Sequence, residues 1–170
     1  RMWRRKTDNV GVYAYFSTYQ WGQDRIRSIR KDGTPPGPTA SVPYLRDYLR
    51  DVASVHVKSF RSETSVAWGA HGLGNLVATR LLWDPHADVE ALVETFYEEC
   101  FGPAAPAMKR YFEGMNTDNP GRRRLDDAFF AGLVKNVAEA GRRAEGHPRI
   151  TARIDHIKQY LYYNYLMQRI

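Results

Sequence analysis

The chain has 170 residues, 43% hydrophobic and 26% charged, with a formal net charge of +6; such a composition excludes a disordered, fibrous or collagen-like chain and fits a globular one. The length allows one domain, or a small α/β piece carrying a helical domain, but falls short of the roughly 250 residues that a closed barrel of eight strand–helix units needs. No apolar run approaches the roughly 20 residues required to span a bilayer, and the single cysteine, Cys100, excludes an internal disulfide or a cysteine-based metal site.

The chain opens on Arg1-Met2-Trp3-Arg4-Arg5-Lys6, with no apolar stretch after the charges as a secretory signal would have. A start at Arg is expected of a segment whose N-terminus lies upstream. Val10-Gly11-Val12-Tyr13-Ala14-Tyr15-Phe16-Ser17 is a β-branched and aromatic run without polar alternation, which predicts a strand buried on both faces and hence a parallel sheet. A long connection follows over 18–42, broken by Gly33-Thr34-Pro35-Pro36-Gly37-Pro38.

Tyr44, Leu45, Tyr48, Leu49 and Val52 then recur at helical spacing, and Val55-His56-Val57-Lys58-Ser59-Phe60 predicts a second strand after a tight turn. Strand, long loop, helix and strand make a βαβ crossover with parallel strands. In a barrel, the loops that leave the C-terminal ends of strands line the active site; here those are 18–42 and 61–71.

From Gly72 the period becomes 3.6. Leu73, Leu76, Val77 and Leu81 form one stripe, stopped by Asp84-Pro85; Asp88 is placed to cap a helix carrying Val89, Leu92, Val93, Phe96, Tyr97 and Cys100. Phe101-Gly102-Pro103 ends it. A third helix carries Ala104, Met108, Tyr111, Phe112 and Met115. A fourth, capped by Asp126 or Asp127, carries Phe130, Leu133, Val134, Val137 and Ala144. His147-Pro148 opens the last, with Ile150, Ile154, Ile157, Leu161 and Tyr165 on one side. The fold class expected is helix-rich α/β: the last βαβ unit of a partial TIM barrel over 1–72, then an all-α C-terminal helical domain over 73–170.

Asn9-Val10-Gly11-Val12-Tyr13-Ala14-Tyr15, Val57-Lys58-Ser59-Phe60-Arg61-Ser62-Glu63, Arg80-Leu81-Leu82-Trp83-Asp84-Pro85, and Phe96-Tyr97 with Phe101-Gly102-Pro103-Ala104-Ala105 follow one another in this order. Together they resemble the family called domain of unknown function 4838. The resemblance implies a branch of the glycoside hydrolases, similar in layout to the α-glucuronidases, with a barrel followed by a helical domain. It implies a secreted or cell-envelope setting and an oligosaccharide or polysaccharide substrate, handled together with the upstream part of the same polypeptide. The chain departs from the family pattern at Ala14, where an acidic residue is usual, and at His56 and Ser59, where glycine is usual.

Glycoside hydrolysis generally uses two carboxyl groups flanking the bond. Glu63, after the second strand, is the candidate catalytic group, the alternative being an ion pair with a loop arginine; its partner carboxylate is expected upstream, or else at Asp24 or Asp32. Arg61 can take a carboxylated sugar bidentately or serve in an ion pair. Tyr13 and Tyr15 point the same way along their strand. Tyr19, Trp21 and Trp68 offer flat rings to a pyranose, and His71 follows Glu63 on the loop.

No cofactor is expected, and no two histidines have metal-ligand spacing. The basic clusters at Arg4-Arg5-Lys6, Arg25/Arg27/Arg30-Lys31 and Arg122-Arg123-Arg124 lack the repeat of a nucleic-acid interface and are read as solvated surface. The reading is a fragment of a glycoside-hydrolase-like protein that supplies one wall of a sugar site; its alternative is a non-catalytic carbohydrate-binding or helical interaction module.

Overall fold

A computed structural model describes residues 6–16, 42–63, 68–115 and 127–167. Among them lie β1 (Gly11–Tyr15), α1 (Val42–Ser54), β2 (Ser59–Glu63), α2 (Trp68–Trp83), α3 (Val89–Phe101), a 3-10 turn (Gly102–Ala104), α4 (Ala105–Met115), α5 (Asp127–Arg143) and α6 (Pro148–Met167). The chain is thus a helix-rich α/β protein with a small two-stranded sheet.

β1 and β2 are neighbours and parallel, in the register Gly11↔Ser59 to Tyr15↔Glu63, as the crossover reading expects. The backbone N–H of Lys58 donates to the Val10 carbonyl at 2.9 Å and that of Phe16 to the Glu63 carbonyl at 3.1 Å, so the pairing extends past both strand ends. Gly11 is required by close approach: a Cβ there would stand 2.5 Å from the Ser59 hydroxyl oxygen.

Two expectations about the sheet are corrected. The second strand begins at Ser59 and not at Val55, because α1 continues to Ser54 and the chain turns at Val55 and His56. There His56 takes a left-handed φ of 51° and its N–H donates to the Ala53 carbonyl; the β-branched Val55 and Val57 flank a turn. Nor is the sheet buried on both faces. Ala14 and Phe60 pack against the core, whereas Gly11, Tyr13, Ser59 and Arg61 are exposed, Tyr13 to 50%. Phe16 ties the covered face to α1, stacked on Phe60 at 5.7 Å and edge-on to Tyr48 at 6.4 Å.

The stretch 61–71 is not a single loop. Arg61, Ser62 and Glu63 end β2, while Trp68 opens α2, and His71 lies buried in that helix. Glycine in a helix interior costs about 1 kcal/mol; Gly72 and Gly74 nonetheless lie inside α2, and both are buried. α1 packs on α2, and α2 in turn on α3 and α6. One apolar cluster runs from Phe16, Leu45 and Leu49 through Leu73, Val77 and Leu81 to Ile154, Ile157 and Leu161. The position drawn between barrel portion and helical domain, 72/73, falls inside α2.

α3 begins where its cap predicts. The Asp88 carboxylate accepts from the Ala91 backbone N–H at 3.0 Å, satisfying one of the donors that a helix start leaves without an intrahelical partner. Asp88→Ala is expected to cost about 0.5–2 kcal/mol of folding stability in urea titrations, and Asp88→Asn only a fraction of that. At the other end Gly102 takes φ +45° with its N–H on the Glu98 carbonyl, while Arg153 of α6 donates to the Cys100 carbonyl at 3.1 Å. In α5 the inward face is Phe129, Phe130, Leu133, Val137 and Ala140; Val134, expected inside, is 54% exposed, because α4 and α6 together cover a narrower stripe than its apolar residues suggest.

Candidate functional site

The open face of the sheet gathers three of the residues singled out above. Successive residues of a strand alternate between faces, so Ser59, Arg61 and Glu63 lie in one row on β2, and the register sets Tyr13 opposite Arg61. The Tyr13 hydroxyl donates to Glu63 Oε1 across the strands. The Arg61 guanidinium lies over the Tyr13 ring, its carbon 5.8 Å from the ring centroid. A cation over an aromatic face is held by the ring quadrupole, worth about 0.5–1 kcal/mol at an exposed site.

These side chains offer a ring, a fork of donors and a carboxylate acceptor within one patch that runs from the middle of the two parallel strands to the C-terminal end of β2. Glu63 is the one carboxylate on either paired strand. Tyr15 stands opposite Glu63 in the register. His71 is not beside this row on a loop but buried on α2, and Trp68 is the first residue of that helix. Tyr19 and Trp21, like Asp24 and Asp32, lie outside the described residues.

Ser59 was named from sequence as a departure from the family pattern and not as a site residue, although alternation puts it on the same face as Arg61, two residues on. Among the described residues no group of three or more His, Cys, Asp and Glu is placed to hold a metal ion, and no helix is long and apolar enough to cross a membrane.

No curated protein and no solved structure matches the chain. The family model described as domain of unknown function (DUF4838) matches residues 2–113, from before β1 into the last turn of α4, and the chain belongs to that family.

Proposed function

We propose that the open face of β1 and β2 is one wall of a carbohydrate site in a glycoside-hydrolase-like protein. In this reading the two strands are the last of a TIM barrel, and the upstream part of the same polypeptide supplies the other strands and the partner carboxylate. The observation that carries it is the juxtaposition of the Tyr13 hydroxyl, the Glu63 carboxylate and the Arg61 guanidinium on an exposed sheet face. Sugars are recognised by donors and acceptors fixed close to a flat apolar ring. Glu63 serves as proton donor or as acceptor for a sugar hydroxyl, and Tyr13 holds its carboxylate in place.

Turnover of an oligosaccharide panel by the intact protein, measured beside Glu63→Gln, tests this. Loss of product in the variant with binding retained supports catalysis through Glu63; equal turnover removes Glu63 from the chemistry. A non-catalytic, glycan-binding wall is the second reading. It is favoured by Glu63 being the one carboxylate on the paired strands, and it predicts binding without product from the unsubstituted protein.

A further inference from the structure

We infer that Tyr13 is the nucleophile of the site and Glu63 its base, so that cleavage passes through a glycosyl group carried on the Tyr13 oxygen; this rests on the carbohydrate reading above. A phenol is a weak nucleophile near neutral pH and needs a base within hydrogen-bond reach. The open face holds such a pair, the Tyr13 hydroxyl donating to Glu63 Oε1. Of the two, Tyr13 is exposed and Glu63 half-buried, so a ligand that settles on the sheet meets the phenol before the carboxylate.

The surroundings suit both roles. Tyr13 belongs to the middle of β1, but its side chain carries the hydroxyl to Glu63, the last residue of β2, and barrels keep their chemistry at that end of the strands. The Glu63 main chain is anchored there, its carbonyl accepting from the Phe16 N–H and from the Ser62 hydroxyl, each at 3.1 Å. The Arg61 guanidinium over the Tyr13 ring sets positive charge against that ring while its oxygen loses a proton. Most glycosidases rely on two carboxylates, yet some use a tyrosine as nucleophile, an arrangement open to paired strands that hold one carboxylate.

In the first step the Tyr13 oxygen bonds to the anomeric carbon and its proton passes to the Glu63 carboxylate. The bond to the leaving oxygen breaks with both electrons staying on that oxygen, which takes a proton from water. Water then adds its hydroxyl to the anomeric carbon and releases a proton, while the Tyr13 oxygen departs and takes its own proton back from Glu63. Two displacements at one carbon retain its configuration.

The intact protein, Tyr13→Phe and Glu63→Gln are each given dinitrophenyl glycosides of glucose, galactose, mannose and xylose in both anomers. Plain glycosides measure turnover. Glycosides fluorinated beside the anomeric carbon trap the adduct, because the good leaving group spares the first step while the fluorine slows the second; labelled peptides are mapped by mass spectrometry. Tyr13→Phe keeps the ring beneath Arg61 and removes one exposed hydroxyl, so its urea midpoint should stay close to the parent's.

The expected result is label on Tyr13 in the parent and none in Tyr13→Phe, turnover lowered about a hundredfold or more in both variants, and product of retained configuration by NMR. Label on Glu63 or another carboxylate, product of inverted configuration, turnover without label, or a smaller loss in Tyr13→Phe overturns the inference and leaves the carbohydrate reading intact. Binding without product overturns it too, in favour of the non-catalytic wall. If these glycosides and the oligosaccharide panel are neither bound nor turned over, both fall.

Discussion

Phe101→Ala should remove about 3–5 kcal/mol of folding stability, the range for truncating a fully buried aromatic residue. Phe101 closes α3, has no exposed surface, and meets the rings of Phe96 at 5.9 Å and Phe112 at 6.1 Å. Phe112 in turn contacts Phe96, Tyr97 and Tyr111, so the side chain sits inside an aromatic cluster where each pair adds about 0.5–1.5 kcal/mol beyond burial. The site cannot easily collapse around alanine. Gly102 at φ +45° and the 3-10 turn after it fix the backbone, and a Cβ on Gly102 would already stand 3.1 Å from Ile150. Chemical denaturation of the two proteins measures the loss. Total stabilities of about 5–15 kcal/mol are usual, so the substitution removes a large fraction; a cost below about 1 kcal/mol would mean that α3 and α4 do not meet through this cluster.

That cluster was readable because helix stripes over-determine it. In α3 the cap Asp88, the spacing of Val89, Phe96 and Tyr97 and the stop at Gly102 each give the same boundaries, and the structure has them. The parallel pairing of β1 and β2 was readable too, since a helix between two strands leaves little else. The sheet's details were not. A hydrophobic run such as 10–16 cannot tell a strand covered on two faces from one whose tyrosines stand on an open face, because tyrosine suits both.

Alternation cannot fix where β2 begins either, and a slip of one residue moves every side chain to the other face. This is why Tyr13, Arg61 and Glu63 could be named one by one from sequence, while their meeting across the strands needed the register. The start of α2 inside 61–71, read as a loop, was hidden for a related reason: the cost of glycine to a helix is local and visible in sequence, whereas the burial of Gly72 and Gly74 is tertiary.

Alkaline pH should unfold the chain through two tyrosines of the same aromatic cluster. Burial holds the Tyr111 phenol well above the ordinary value near 10, with Tyr160 adding to the effect; burial raises Tyr97 likewise, helped by the charges of Glu113 and Glu94. Both groups have folded values above their unfolded ones. Their contribution is therefore complete below about pH 10 and is lost as the pH rises toward the folded values, because the unfolded chain releases protons that the folded chain keeps. Each such group lowers stability by about 1.4 kcal/mol per pH unit in that window, so the pair lowers it by roughly 3 kcal/mol per unit.

Tyr111→Phe separates the two contributions. The Tyr111 hydroxyl has no hydrogen-bond partner among the described residues, so its removal breaks no bond, and at neutral pH the variant should equal or exceed the parent by up to about 1–3 kcal/mol. Above pH 10 its stability should fall with about half the parent's slope. Urea midpoints measured across this window, with phenolate absorbance recorded alongside, give both quantities; an unchanged slope in Tyr111→Phe would mean that this phenol ionises in the folded chain, and that the aromatic cluster admits water where the packing of α3, α4 and α6 excludes it.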